Sequence, residues 1–201
     1  MHSTKEKIVN AARQLFQEEG YDATSIASIL KKIGMSKGGL YHHFKSKEEI
    51  ADAIIMCHIK KTKDYFESKL NEGMTPLEKL LLLLFAERNV LESKEAEFSI
   101  MAIYFNPKAQ ILRDKARKVS REFFLTPLVE ILKEGKGSGD FTLRSPEVCS
   151  ELILSFESIL VSLDKDILSN PDKLQIYVDE VYFLIAQLVG IDPCIFKEQN
   201  Q

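Results

Sequence analysis

The segment Thr24–Lys47, TSIASILKKIGMSKGGLYHHFKSK, leaves little choice of local structure. Ile26, Ile29, Leu30 and Ile33 recur at helical spacing, and Gly34 supplies a C-terminal stop. Ser36 can then cap a second short helix whose inward face is Leu40 and Phe44. Two such helices hinged at a glycine form a helix-turn-helix. Small Ala27 is expected early in the first, at a place where a large side chain would keep the second from crossing closely.

The remaining side chains of the second helix, Lys37, Tyr41 and His42, must point away from that core, with Gly38 and Gly39 bare between them. A face of this kind suits a duplex groove. Lysine neutralises phosphate, tyrosine and histidine donate to phosphate oxygens, and glycine permits close backbone approach. Each glycine costs roughly 1 kcal/mol against alanine in a helix interior. The helix also falls below the ~12–15 residues needed for marginal stability alone. Packing through Leu40 and Phe44 must therefore hold it. The plainer alternative, a surface turn at Gly38-Gly39 followed by an incidental Tyr-His-His cluster, does not account for the apolar spacing on either side.

Charge follows the same division. Residues 1–47 carry eight lysines or arginines against four acids, a net of +4, whereas the 201-residue chain is −3, so the remainder is −7. Positive charge confined to one end argues against a protein that coats nucleic acid along its whole surface.

The run Thr24-Ser25, then Gly34-Met35-Ser36-Lys37-Gly38-Gly39-Leu40-Tyr41-His42-His43-Phe44, then Ser46-Lys47-Glu48, resembles the N-terminal signature of TetR-family transcriptional regulators, across Lys5 to about Ile55. The resemblance implies DNA contacts at Thr24, Ser25, Ser36, Lys37, Gly38, Tyr41, His42 and Lys47, with base reading mainly at Lys37 and Gly38. Gly39 departs from the family pattern, because many members carry a side chain there that could read a base. His42, often another aromatic in relatives, is a second departure and would make a phosphate contact pH-sensitive.

The rest of the chain reads as helix. N-capping residues precede proline at Thr75-Pro76, Asn106-Pro107, Ser145-Pro146 and Asn170-Pro171, and capping boxes are expected at Ser3/Glu6, Ser46/Glu49 and Thr75/Glu78. An all-α chain of about nine helices is predicted: a DNA-binding helix-turn-helix domain over residues 1–47 and a ligand-binding and dimerisation domain over 48–201. The first helix buries Ile8, Ala12, Leu15 and Phe16, and a helix from Glu48 links the two domains. Pro127 is expected to kink or divide a long helix that Gly135, Gly137 and Gly139 close in a mobile loop.

The segments 147–163 and 172–190 carry surplus apolar surface. Ser155, Ser158 and Ser162 form a small-residue stripe on one, and Val178, Val181, Tyr182 and Ile185 a comparable face on the other. The plain alternative is that both complete an intrachain core. The family resemblance favours a homodimer built on these helices, which would present two recognition helices ~34 Å apart to a palindromic operator in double-stranded DNA.

Phe66, Phe85, Met101, Tyr104, Phe105, Phe123, Phe124, Phe156 and Tyr177 supply material for an apolar pocket, with ordinary core packing as the plainer reading of most of them; Glu157, which interrupts an apolar run, is expected partly exposed or at a dimer interface, with a place in that pocket as the alternative. A repressor released by a small-molecule effector is the function the resemblance implies. A ligand-dependent activator of the same fold, or a helical protein-interaction module without specific DNA binding, stands as the alternative. No catalytic set is expected, because His2, His42, His43 and His58 lack convergent partners and no nucleophile elbow, P-loop or dinucleotide fingerprint is present. Three scattered cysteines, Cys57, Cys149 and Cys194, suggest neither a disulfide framework nor a metal site, and no cofactor is expected. The Leu80–Phe85 run is too short for a bilayer, so no membrane association and a cytoplasmic location are expected.

Overall fold

A computed structural model describes residues 3–92, 110–160, 163, 165–168 and 170–198. Its regular structure among these residues is entirely helical: α1 (Thr4–Glu18), α2 (Ile26–Ile33), α3 (Lys37–Tyr41), α4 (Lys47–Lys69), α5 (Pro76–Glu92), α6 (Gln110–Ser138), α7 (Pro146–Leu160), α8 (Lys165–Leu168), α9 (Pro171–Val189) and α10 (Cys194–Glu198). The expected helix starts at Asn106-Pro107 and after Ser93 lie outside the described residues.

The capping chemistry is largely as the sequence predicts. Ser3 and Glu6 satisfy each other's backbone amides at the start of α1. Thr75 and Glu78 do the same before α5. At α4 the Ser46 hydroxyl accepts from the Glu49 amide, but the Glu49 carboxylate reaches back to Lys45 N at 2.7 Å, so the box is not reciprocal. A box that sequence spacing did not suggest joins Ser25 and Ser28 at α2, with serine in the role usually taken by Glu or Gln. Gly34 closes α2 at φ +64°, a left-handed conformation in which any Cβ is strained.

By contacts, the chain divides into two compact units. One comprises Met1–Asp64 and Glu87–Val119, the other Tyr65–Ala86 and Ser120–Gln201. Helices α4, α5 and α6 each contribute residues to both. In the first unit, Ile8, Ala12, Phe16, Ile29, Leu40, Ile50, Ala51 and Ile55 are almost wholly buried, and α1 packs on α2 and α2 on α3. Ala27 is exposed, so the close crossing is not secured there; Ile29, two positions on, is the buried residue of α2.

In the second unit, Leu80, Leu128, Leu132, Ile153, Ile185, Ala186 and Val189 form the core, and α9 packs against α7 and α8. Lys79 pairs with Glu134, Lys133 with Glu147, and Arg121 with Glu151, tying α5 to α6 and α6 to α7 at the surface. Pro127 does not divide its helix, which continues as one element to Ser138. The expected loop at the glycines begins only at Gly139. Gly135 is instead a buried helical position facing Phe141, whose amide donates to the Gly135 carbonyl at 3.0 Å. Among the described residues, no helix is long and apolar enough to cross a membrane.

Candidate nucleic-acid interface

The head is organised around a tight connector between α1 and α2. Gly20, Tyr21, Asp22, Ala23 and Thr24 close one turn in which both the Thr24 amide and its hydroxyl donate to the Gly20 carbonyl, at 3.2 and 2.8 Å. Thr24 is 1% exposed. Its side chain is therefore a structural member of the turn. Ser25, next in line, is exposed and caps α2.

Tyr21 anchors the connector. It is buried, meets Phe16 edge-on with ring centroids 5.0 Å apart, and its phenol is pushed up to about 12 by burial, then by the carboxylates of Glu48, Asp22 and Asp52. The raised value favours the neutral form in the folded head. Stability linked to this group is accordingly full below pH 10.0 and lost as the pH rises toward about 12. In a tyrosine absorbance titration Tyr21 is expected to ionise late, and Tyr21→Phe should remove that step. Sequence reasoning passed over Tyr21; the signal was an aromatic placed directly after the glycine that ends α1.

The second helix of the motif is short. Ser36 accepts from the Gly39 amide at 3.3 Å and starts α3, and the chain leaves the helix after Tyr41. Leu40 is 0% and Phe44 3% exposed, and the Phe44 amide still reaches the Leu40 carbonyl at 2.9 Å, so both anchors are seated although the second lies beyond the helix. Ser36, Lys37, Gly38, Tyr41 and His42 are all exposed. The structure thus brings these five onto the outside of one short element, flanked by the exposed Ser25. The Lys37 ammonium lies 5.8 Å from the Tyr41 ring centroid, and the His42 and His43 rings meet edge-on at 5.1 Å.

The two glycines differ in what surrounds them. At Gly38 a Cβ would meet nothing within 4 Å, so only an incoming partner could need that space. At Gly39 a Cβ would come within 3.2 Å of Met35 Cγ and 3.4 Å of its sulfur. Its lack of a side chain has a cause inside the head, in the packing of Met35.

Lys47 departs most from expectation. Its ammonium donates to the carbonyls of Tyr21 at 2.7 Å, Thr24 at 2.9 Å and Asp22 at 3.4 Å, rather than standing free for a phosphate.

Residues expected in a ligand pocket differ in burial. Phe66 and Phe124 are buried and Phe123 and Phe156 partly so, whereas Tyr177 is 41% exposed. Phe85 packs against Tyr182, which stacks on Phe196 at 5.0 Å, so these three rings form an aromatic cluster in which Phe85 and Phe196 are buried. Met101, Tyr104 and Phe105 lie outside the described residues, as does the side chain of Glu157.

The expected dimer face is likewise revised. Val181 is 7% and Ile185 0% exposed, and Val178 is partly buried; these residues face the core of their own unit. The exposed apolar residues of α9 are Ile176, Tyr177, Phe183 and Leu184. Sequence periodicity could not choose between the faces because α9 is apolar on both. On α7, Val148, Leu152 and Ser155 are exposed at i, i+4 and i+7, while the side chains of Ser158 and Ser162 lie outside the described residues.

Comparison with known proteins agrees with this geometry. The family model for bacterial regulatory proteins of the tetR family matches residues 8–54, the segment that holds α1 to α3 and the start of α4. Over 162 residues the chain is 26% identical to the HTH-type transcriptional repressor KstR2 of Mycolicibacterium smegmatis, covering 77% of this chain and 74% of that one. Over 151 residues it is 27% identical to the HTH-type transcriptional regulator QacR of Staphylococcus aureus, covering 74% and 79%. The solved structure of the fatty acid degradation regulator FadR from Bacillus halodurans shares the fold, with a TM-score of 0.69 at 23% identity over 92% of this chain and 95% of that one. A helix-turn-helix head with its polar face outward and the family match over residues 8–54 identify that head as a DNA-binding domain of the tetR type, and over its helical remainder the chain is similar to transcriptional regulators.

Proposed function

We propose that the protein is a repressor that grips a palindromic operator as a homodimer and is released by a small molecule bound in its second unit. The observation that carries the dimer is the apolar surface left outside on α7 and α9. Ile176 and Phe183, and likewise Tyr177 and Leu184, recur at i and i+7, so these four side chains flank one exposed face of α9. Exposed apolar groups clustered on packed helices mark an association surface. A two-fold axis through such a surface would relate two heads and match them to inverted half-sites about 34 Å apart.

One relative is named a transcriptional repressor, which supports that sign of regulation for this chain. Release requires an effector that binds the DNA-incompetent state more tightly than the competent one. Phe66, Phe123, Phe124 and Phe156 supply apolar lining for it within the second unit. Helix α4, continuous from Lys47 to Lys69, is the element through which such binding would reach the head. On this reading the protein carries out no catalysis and works beside chromosomal DNA in the cytoplasm, as its similarity to DNA-binding regulators supports.

Random-site selection with the full-length protein, followed by anisotropy across a salt series, tests this reading. An inverted repeat bound by two chains is expected, with affinity falling steeply as salt rises. Enrichment of an asymmetric site bound by a single chain would sink the dimer. On the selected duplex, Lys37→Ala should relax the preference at one base pair per half-site by roughly 1–3 kcal/mol if the lysine reads a guanine edge. An equal loss on every sequence would make Lys37 a backbone contact only.

A further inference from the structure

From Ala23 to Lys47 the chain holds five lysines and no carboxylate, and within that stretch Tyr41 is followed by two histidines. The His42 and His43 side chains are exposed and meet edge-on, with ring centroids 5.1 Å apart. Among the described residues neither imidazole hydrogen-bonds to another group. The charges near the pair are mainly basic. Lys37 lies 5.8 Å from the Tyr41 ring centroid, Lys5 of α1 lies 5.5 Å from that of Phe44, and Lys45 is exposed on the next turn. Lys31 of α2 is exposed as well, and in the free protein Lys47 of α4 donates to the connector carbonyls. The carboxylates that reach the motif from α1 and α4 are already engaged: Glu18 with Lys32, Glu49 with the Lys45 amide, and Glu48 with Tyr21 and Ser46. The head itself thus offers no acid to hold a proton on either ring.

A duplex supplies what the head lacks. Histidine changes charge between about pH 5 and 8, and an anion beside an imidazole favours its protonated form. Phosphate oxygens that dock on the outward face of α3 draw a proton onto the pair. Two charged rings in edge contact repel, so the first proton disfavours a second. We propose that DNA binding is coupled to proton uptake at the His42–His43 pair, one proton for each bound head, so that the protein holds its operator more tightly as the pH falls. This rests on the head being the DNA-binding element. Linkage fixes the sign, since a species taken up on binding strengthens that binding as its concentration rises. The proton is then an effector that acts at the DNA face itself, independently of any small molecule bound in the second unit.

The test uses the full-length protein on the duplex recovered from random-site selection, with anisotropy titrations at about pH 6 and about pH 8 and fixed ionic strength. Wild type is expected to bind roughly tenfold more tightly per head at the lower pH, the order expected of one imidazole that gains a phosphate partner. A His42→Gln/His43→Gln double variant keeps hydrogen-bond donors at both positions but takes up no proton, and its affinity should be nearly the same at both pH values. The wild-type slope of log affinity against log salt should steepen at the lower pH by up to ~0.9 per head, for one further neutralised phosphate. Calorimetry in buffers of different ionisation enthalpy counts the proton directly, and the heat of wild-type binding at about pH 7 should vary with the buffer. Equal wild-type affinity at both pH values, a heat independent of the buffer, or a double variant that keeps the wild-type pH dependence would each overturn the proposal. If the double variant does not fold, the salt slope decides, because a slope unchanged by pH places the proton away from the phosphates and overturns it too. Failure of the wild type to enrich any duplex would remove the DNA-binding reading itself, a result distinct from binding that is indifferent to pH.

Discussion

Glutamate at both Phe183 and Leu184 is expected to leave a folded monomer that no longer holds its operator. The two side chains are 46% and 45% exposed, so within one chain they bury little and the exchange should change the stability of the isolated fold by only about 0.5 kcal/mol. In a two-fold assembly each substitution occurs twice on one surface, and four carboxylates would have to lose water without partners. Sedimentation should report half the wild-type mass. Affinity for the full operator should fall by ~10²–10⁴-fold, the advantage that two linked heads have over one. Residual binding to a half-site should survive, because α1 to α3 are untouched. Wild-type sedimentation of the double variant would show that the exposed face of α9 is not the dimer surface. The same substitution at Ile185, which is 0% exposed, should unfold the unit instead of separating chains.

Alanine at Gly135 and at Gly137 should move stability in opposite directions. Both residues lie in the last turns of α6, where helix propensity alone would favour alanine by up to ~1 kcal/mol. At Gly137 a Cβ meets nothing within 4 Å, so a gain of about 0.5 kcal/mol is expected. At Gly135 it would lie 2.1 Å from Phe141 Cδ2 and 2.4 Å from Cε2. Phe141 is 3% exposed and cannot swing away without giving up its burial. So close an approach puts the overpacking cost at the upper end of its range, ~3 kcal/mol, which less the propensity gain of ~1 kcal/mol leaves a net loss of roughly 2 kcal/mol. For a chain of this size that is a fall in Tm of ~4–8 °C. Thermal unfolding of the two variants checks both signs, and a stabilised Gly135→Ala would mean that the Phe141 ring does not lie against this helix.

The head was legible because its constraints are local. A serine before a helix, a glycine at positive φ after one and two anchors four residues apart each act over a few bonds, so Ser36, Gly34, Leu40 and Phe44 could be placed from spacing alone. The surroundings of Lys47 and Thr24 were not legible, for the complementary reason. Lys47 meets Tyr21 across 26 residues of sequence, and no pattern within either segment announces the meeting. Thr24 looks like a polar residue ahead of a helix, which is how an exposed cap looks, until the turn folds its hydroxyl onto Gly20. In the second unit, α9 has apolar residues all round, so periodicity found the helix and its ends but assigned Val181 and Ile185 to the outside. The glycines of α6 were read as breakers because the sequence does not show that Phe141 returns to fill the space at Gly135.

The division of labour within α3 bears on how operator preference can change. Leu40 and Phe44 hold the element in place, while Lys37, Gly38, Tyr41 and His42 face outward and take no part in that hold. Substitutions at the outward positions can therefore drift, or be chosen by an engineer, without each trial endangering the fold. Gly39 is the exception, since a side chain there meets that of Met35, which must give by a few tenths of an ångström. Half-site preference can thus be varied by single steps at four positions, and at the fifth with a small adjustment of Met35.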